Sequence, residues 1–497
     1  MKKTLIVIGA GIAGLSAGVY AARSGYRTIL LEQADAPGGL CTSWRRKGYL
    51  FDGSAAGLAG SAPGTPIFRL WQDLGVIDHC PLHDPDNFGS IHLTDGRTIT
   101  VYTDIAHLRD HLRDNFPRDA ERIDEFAAAL WSCTRLEIPF RESEGLKGIL
   151  AEFRGLGGML RVLPTILTYG RMTLDQFQSR LVDPACREVF GNLVHFGGTE
   201  VPLLTVLLPI AYAHRKMTGM PREGWLSFAR AIERRIIESG GELRYRVQVK
   251  GLVRRDGAVA GVRLADDSVI EADRVISAAD GRFTRTVLLG EPMDEVRNRF
   301  APEFISDQPV QVSLGVAEDW SGQRGPLTYL LDGASSVAGK RQTRLTVHNR
   351  FYDPGAAPEG KSSLIAFLES DHAFWKGLAG DPAAYAEQKR LCAEFVIGTI
   401  AADRPGFAAH GEVVDVATPL TRERYTGNWL GAMQARKPDP GMVRALMQGG
   451  PEYRHRRLKG FYQAGQWVEA WGGITTAAQS GRNVIRTMCK DDRIPFG

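Results

Sequence analysis

The sequence has few cysteines and no strong imbalance of charge. Its 497 residues include six cysteines with no C-x-x-C pair, which excludes the common zinc and dithiol motifs and is typical of a reducing compartment. The formal net charge of +4 is too small to indicate a nucleic-acid partner. No stretch is apolar over the length of a membrane span, and no internal repeat is present. We therefore expect a cytoplasmic protein with neither a metal site nor a nucleic-acid partner.

The usual constellations of hydrolytic catalysis are also missing. No Ser/His/Asp or Cys/His arrangement stands out. His195 and His214 follow or lie within apolar, helical stretches, and we interpret them as core or surface histidines rather than catalysts. The chain is too long for one compact core, so two domains are expected.

The N-terminal segment carries the most specific pattern. Four apolar residues, Leu5 to Ile8, predict a buried parallel strand, and a G-x-G-x-x-G turn follows directly, formed by Gly9, Ala10, Gly11, Ile12, Ala13 and Gly14. After a predicted helix, a second strand ends at Glu32, where a carboxylate is suited to an adenosine ribose. Glycines at fixed offsets and this terminal acid disfavour a secretory signal peptide. The segment therefore predicts a dinucleotide site.

Further along the chain, the order of predicted helices and strands indicates a nucleotide-binding domain that is interrupted by long insertions. Residues 66–76, 104–135 and 224–239 are predicted helices, and Ile91–Leu93 with Thr98–Tyr102 a predicted hairpin. Short strands follow residue 242, and a strand, glycine turn and helix occupy 459–488. We expect one discontinuous domain from residues 1–75, 216–290 and 456–497, and a second from 76–215 and 291–455.

Residues 145–215 are predicted to be helical and are apolar in patches. Met159, Leu160, Leu163, Ile166 and Leu167 lie near Arg154, Arg171 and Arg180, an arrangement that suits anionic lipid headgroups. The alternative is a pair of helices buried in the second domain. Both interpretations hold together if these helices frame a channel that opens at a membrane.

Several further motifs together resemble one flavoprotein family, that of phytoene desaturases, carotenoid isomerases and retinol saturases. The resemblance covers essentially the whole chain. Its more specific motifs lie at residues 38–44 (GGLCTSW), 47–53 (KGYLFDG), 352–361 (YDPGAAPEGK), 418–428 (TPLTRERYTGN), 465–469 (GQWVE) and 480–482 (SGR).

The resemblance implies an α/β fold. A Rossmann-type, amine-oxidase-like FAD-binding domain would be interrupted by a mixed α+β substrate domain, whose helical part is a candidate membrane-facing region. FAD is the implied cofactor. By position, Glu32 would hold the adenosine ribose; Gly38, Gly39 and Leu40 would form the loop over the pyrophosphate. Val249 would contact the adenine through its backbone, and Gly465 and Gln466 would lie beside the ribityl chain and the isoalloxazine.

The implied activity is desaturation, saturation or isomerisation of C–C double bonds in a hydrophobic isoprenoid or polyene. Quinone or oxygen would accept electrons, and contact with a membrane would be peripheral. Glu469 is the candidate acid or base, with pairing to an arginine as the alternative. Trp471 stands where relatives tend to have a small residue, and it either fills space over the flavin or packs in the core.

Two rival functions stay open at this stage. Flavin amine oxidases share the nucleotide fold and usually carry a lysine on the strand that corresponds to Pro309–Val316, where this chain has Gln311. A non-catalytic flavin- or lipid-binding protein is the other alternative.

Overall fold

The computed structural model describes residues 2–54, 57–136, 164–193, 200–300, 305, 307–333, 335–435, 452–469 and 472–497. Among them the strands are β1 (Thr4–Ile8), β2 (Arg27–Leu31), β3 (Ser43–Arg46), β4 (Tyr49–Asp52), β5 (Leu58–Ala59), β6 (Leu82–His83), β7 (Asn87–His92), β8 (Thr98–Tyr102), β9 (Thr218–Pro221), β10 (Glu242–Arg244), β11 (Val249–Arg255), β12 (Ala258–Leu264), β13 (Val269–Glu271), β14 (Arg274–Ser277), β15 (Val310–Val316), β16 (Leu327–Leu330), β17 (Ser336–Val337), β18 (Lys340–Arg341), β19 (Arg344–Asn349), β20 (Ser362–Leu368), β21 (Gly411–Ala417) and β22 (Phe461–Gln463).

The helices of the same residues are α1 (Ile12–Arg23), α2 (Pro66–Asp73), α3 (Val76–His79), α4 (Ile105–Asn115), α5 (Ala120–Cys133), α6 (Leu174–Gln178), α7 (Pro184–Gly191), α8 (Leu204–His214), α9 (Trp225–Glu238), α10 (Gly281–Phe283), α11 (Met293–Arg299), α12 (His372–Leu378), α13 (Pro382–Asp403), α14 (Pro419–Thr426) and α15 (Ile474–Asp492).

A parallel sheet of five strands, in the order β10-β2-β1-β14-β22, holds the N-terminal motif. On one face α1, α9 and α15 pack against side chains such as Leu5, Val7 and Leu30. On the other face, Ile6 and Ile29 pack against the antiparallel strands β11–β13 through Val249 and Val262. This layered arrangement confirms the predicted Rossmann-type α/β fold.

The five strands of this sheet come from three distant parts of the chain. They all fall within residues 1–75, 216–290 and 456–497, the ranges expected for the discontinuous domain. The domain boundaries themselves stay a prediction. What the sheet establishes is that strands far apart in sequence meet beside β1, which positions the G-x-G-x-x-G turn at their shared carboxyl edge.

A second, seven-stranded sheet has the order β21-β15-β20-β19-β16-β7-β8. One face packs against α13 through an apolar core that includes Val312, Val347 and Val396. A separate helical core joins α4, α5, α7 and α8 around residues such as Phe126 and Leu207. The predicted hairpin is confirmed, since β7 and β8 pair antiparallel around a turn that contains Gly96.

Two predicted helices are each split in the structure. The stretch 104–135 forms α4 and α5, because Pro117 follows Phe116 and proline lacks the N–H that would continue the first helix. The stretch 66–76 ends α2 at Asp73, and Gly75 adopts φ +76° before α3 begins.

The described part of the chain holds no helix with the length and apolar character needed to span a bilayer. Helix α8 is largely buried, through Leu207, Ile210 and Ala211, as the buried-helix interpretation predicts. Leu167 is 52% exposed. Met159, Leu160, Leu163 and His195 lie outside the described residues.

Two of the motifs that suggested the family meet in one buried ion-pair cluster. Arg350 contacts the carboxylates of Asp52 and Asp353, and all three side chains are nearly inaccessible to solvent. Asp52 also accepts hydrogen bonds from the Ser43 hydroxyl at 2.5 Å and from the backbone N–H of Trp225, the first residue of α9, at 2.9 Å. The cluster therefore ties the β3–β4 hairpin, the start of α9 and the segment after β19 together.

Candidate functional site

The glycine turn after β1 has the geometry that the spacing predicts. Gly9 adopts φ +96°, which an L side chain rarely accepts. A Cβ on Gly14 would lie 1.9 Å from the carbonyl oxygen of Gly9, so only glycine allows α1 to approach the strand. A Cβ on Gly11 would meet no protein atom within 4 Å, because this residue faces open space at the start of α1. The backbone N–H groups at this helix start are suited to a pyrophosphate.

Glu32 lies at the end of β2 and its carboxylate is held by the same turn. Its Oε2 accepts the Ala10 N–H at 2.7 Å and its Oε1 accepts the Ala34 N–H at 2.9 Å. Each carboxylate oxygen has a second lone pair for a ligand hydroxyl. Two backbone N–H groups of the protein thus fix the orientation of the Glu32 carboxylate.

The Gly38-Gly39 loop folds back onto the glycine turn. The Gly38 N–H donates to the Ala10 carbonyl at 2.8 Å, and Gly38 forms an isolated bridge with Gly11. Both glycines have positive φ, +110° for Gly38 and +61° for Gly39. The loop therefore forms a second wall opposite the helix start.

A cavity of about 2160 Å³ extends from this turn to the seven-stranded sheet. Most of the predicted cofactor residues line it: Gly9, Gly11, Ile12, Ala13, Glu32, Gly38, Gly39, Leu40, Val249, Gly465 and Gln466. Ala10 and Gly14 are buried beneath the turn and act through the backbone and the close helix approach described above. Residues that are far apart in sequence thus meet around one space.

The C-terminal segment closes the cavity from the β22 side. The Ala464 N–H donates to the Ser277 carbonyl at 2.9 Å, and Gly465 turns away from the strand with φ +105°. The Gly465 N–H then donates to the Ser480 hydroxyl on α15 at 2.8 Å. Helix α15 packs closely on α1, since a Cβ on Gly481 would lie 2.2 Å from the Ala13 carbonyl oxygen.

Glu469 belongs to a buried hydrogen-bond network behind this segment. Its Oε1 accepts the Tyr453 hydroxyl at 2.5 Å. Burial raises the pKa of the Glu469 carboxyl, while hydrogen bonds from Tyr453 and Ser480 act in the opposite direction. The described cavity lining does not include Glu469. Its role as acid or base stays a prediction, and Trp471 lies outside the described residues.

Asp280 is a cavity residue that the sequence analysis did not single out as functional. It follows β14 and its two carboxylate oxygens accept the backbone N–H groups of Phe283 and Trp429, each at 3.0 Å. Burial raises its pKa, against those hydrogen bonds. The polar end of an otherwise apolar strand was the available signal, because such ends meet ligands in parallel sheets.

The sequence analysis also missed the sheet face that forms the far wall of the cavity. It carries Gln311, Arg344, Thr346 and His348. The alternation of polar and apolar residues in β15 and β19 was the signal, because alternate side chains of a strand point to opposite faces.

The comparison with protein families decides the classification. The model of the family described as flavin containing amine oxidoreductase matches residues 12–488. The chain belongs to this family. Its cofactor is FAD, and the open space at Gly11, the anchored carboxylate of Glu32 and the paired glycines of the second wall fit a dinucleotide of this kind.

Curated relatives are named for carotenoid chemistry. Chloroplastic prolycopene isomerase from Daucus carota is 22% identical over 96% of this chain and 78% of its own length. A 4,4'-diapophytoene desaturase (4,4'-diapolycopene-forming) from Methylomonas sp is 23% identical over 99% of this chain and 96% of its own. A phytoene desaturase (lycopene-forming) from Pseudescherichia vulneris is 29% identical over 58% of each chain. The protein is thus a flavin-containing oxidoreductase related to carotenoid desaturases and isomerases.

Solved structures share the fold. An oxidoreductase from Methanosarcina mazei has a TM-score of 0.64 at 16% identity, covering 97% of this chain and all of its own. Putrescine oxidase bound to putrescine has a TM-score of 0.60 at 14% identity, covering 98% and 99%.

Proposed function

We propose that this flavoenzyme desaturates, saturates or isomerises C–C double bonds in a long isoprenoid or polyene chain. The observation that carries the proposal is the cavity of about 2160 Å³ that extends from the nucleotide turn to the seven-stranded sheet. A space of this volume has room for a large apolar substrate beside the cofactor. The names of the relatives, which describe phytoene, prolycopene and diapophytoene chemistry, indicate the substrate class.

FAD, when bound, supplies the hydride acceptor or donor at its N5 atom. The residues of this chain bind and orient the two reactants. Glu32 and the paired glycine loops hold the nucleotide end, and the segment after Gly465 is placed to contact the ribityl and ring end. The sheet face opposite holds the substrate chain, and the surrounding elements exclude water. We propose Glu469 and Trp471 as further contributors near this segment, and quinone or oxygen as the electron acceptor.

The chain has no lysine in β15, and Gln311 occupies that strand instead. The Gln311 Nε2 donates to the Asp52 carbonyl and to the Ser313 hydroxyl, so neither amide N–H is left to hold a water as a lysine ammonium group would. This difference favours polyene chemistry over the amine oxidation for which the family is named. The proposal includes peripheral contact with a membrane, because an apolar substrate would then pass from the lipid to the cavity.

The test uses purified holoprotein without oxygen. Oxidised enzyme is mixed with phytoene in detergent micelles, and dithionite-reduced enzyme with prolycopene; products are identified by chromatography and mass spectrometry. We expect either a product lighter by two hydrogens or a change of double-bond geometry at constant mass. Reduction of the flavin by putrescine or another primary amine, without any change in the polyenes, would contradict the proposal.

A further inference from the structure

The face of the seven-stranded sheet that lines the cavity carries several polar side chains beside one aromatic ring. Gln311, Arg344, Thr346, His348, Phe367 and Glu369 line the cavity. The alternate residues of the same strands, among them Val310, Val312, Leu345, Val347 and Ala366, are buried in the apolar core on the other side. Because side chains alternate along a strand, one face of the sheet packs its apolar side chains against α13 and the opposite face presents Gln311, Thr346 and His348 to the cavity.

Three of the cavity residues form a row across neighbouring strands. Gln311 on β15 pairs with Phe367 on β20, which in turn pairs with Thr346 on β19. The ring of His348 lies 5.8 Å from that of Phe367, centre to centre. A chain lying on this sheet would therefore contact one aromatic ring flanked by hydrogen-bonding groups.

The Gln311 amide is held in one orientation. Its Nε2 donates to the backbone carbonyl of Asp52 at 2.9 Å and to the Ser313 hydroxyl at 3.1 Å. A carbonyl oxygen accepts but cannot donate, so the bond to Asp52 fixes which end of the amide is the nitrogen. Within the described residues no hydrogen bond reaches the amide oxygen, so Gln311, which lines the cavity and is only 2% exposed, has an acceptor available for a ligand.

Thr346 adds a hydroxyl to the same row. It shares a hydrogen bond of 3.0 Å with the Thr328 hydroxyl and is 7% exposed. A hydroxyl both donates and accepts, so this bond leaves capacity for one more partner. A hydrocarbon lying here would offer no partner to the Gln311 amide oxygen or to the second bonding site of the Thr346 hydroxyl, which is unfavourable.

We propose that the substrate is an isoprenoid or polyene alcohol rather than a pure hydrocarbon, with its hydroxyl donating to the Gln311 amide oxygen and lying beside Thr346. This inference rests on the proposed function and narrows its substrate class. It makes Gln311 a specificity-determining residue, because a site built around a hydrogen bond rejects the analogue that lacks the bonding group.

The test compares phytoene with its 1-hydroxy-1,2-dihydro derivative, which keeps the same skeleton and, like phytoene, is colourless. Binding to the holoprotein is followed through the visible flavin band. We expect the alcohol to bind about tenfold more tightly or better. Gln311→Leu should abolish this preference, and Thr346→Val should reduce it. The matched control is Gln323→Leu, which removes an amide bonded to the Gly325 carbonyl outside the cavity and should leave the preference unchanged.

Each outcome decides between the two proposals. Equal binding of alcohol and hydrocarbon, with turnover of either, would overturn the inference and leave the proposed function standing. A preference that survives in both Q311L and T346V would overturn the assignment of these residues. The T346V variant keeps the test open should Q311L fail to fold, since it leaves the contact to Asp52 intact. If neither compound binds or is converted, both proposals are wrong.

Discussion

At the scale of single residues, two roles are possible for Glu469, acid–base catalysis and the positioning of a neighbouring loop. Its place in the motif at residues 465–469 suggests chemistry, but its contacts are with Tyr453 and Ser480, and Ser480 in turn accepts the Gly465 N–H. A carboxyl in that position fixes the loop that carries Gly465 and Gln466. We therefore expect Glu469 to act as a positioning residue through this loop.

The pH dependence of stability tests the burial of Glu469. Because its pKa is raised above the ordinary 4.5, the folded protein holds the proton longer than the unfolded chain does. Stability should therefore fall as pH rises above 4.5 through the raised pKa, and Glu469→Gln should remove this loss. Unfolding temperatures of both proteins from about pH 4 to about pH 8 measure it. We also expect E469Q to bind FAD more weakly while the loaded enzyme keeps its kcat.

A control of opposite sign is available in Glu125. Burial would raise its pKa, but hydrogen bonds from Arg180 and Arg122 outweigh burial and lower it. Glu125→Gln should therefore cost more stability at neutral pH than in acid.

For Glu469 itself, a loss of about a hundredfold in kcat in the FAD-loaded E469Q variant would contradict the positioning role and assign Glu469 to acid–base catalysis.

At the scale of elements, the turn between β1 and α1 contains one glycine whose substitution should affect FAD binding and another whose substitution should affect folding. Gly11 has φ −67° and open space before it, so Gly11→Ala should fold normally and obstruct the pyrophosphate. Gly14→Ala would drive a methyl group into the Gly9 carbonyl, so it should destabilise the protein itself. Flavin absorbance per protein and the unfolding temperature of the apoprotein distinguish the two variants. A G11A variant that retains full FAD content would contradict the site.

The same element shows what sequence can and cannot predict. The turn was predictable because the roles of Gly9, Gly11 and Gly14 depend on spacing within one strand–turn–helix unit. The splits at Pro117 and Gly75 were missed because apolar periodicity continues across both. Gln311, Thr346 and His348 were not predicted as a surface, since their grouping depends on the pairing of β15, β20 and β19. The partners of Glu469 are likewise set by packing rather than spacing.

At the scale of the whole molecule, the Asp52–Arg350–Asp353 cluster joins parts of the chain that no local pattern connects. Arg350→Ala leaves two buried carboxylates without their cation and should lower the free energy of unfolding by about 3–5 kcal/mol. The exposed pair of Arg390 with Glu394 is the control, and Arg390→Ala should leave the denaturation midpoint unchanged. Denaturant unfolding measures both variants. Equal midpoints would show that the cluster does not hold the molecule together.

The order of the parallel sheet has a consequence for synthesis on the ribosome. Strand β1 is synthesised well before its neighbour β14 and before α15, the helix that packs on α1. Until β14 is made, one edge of β1 has no partner strand. Until the segment after β22 is made, Gly465 is not yet present to line the cavity opposite Glu32. A nascent chain thus has to keep its most hydrophobic strand from pairing elsewhere for most of translation. Because Glu32 and Gly465 line the same cavity, we expect FAD to bind only after β22 and α15 have packed beside β1 and α1.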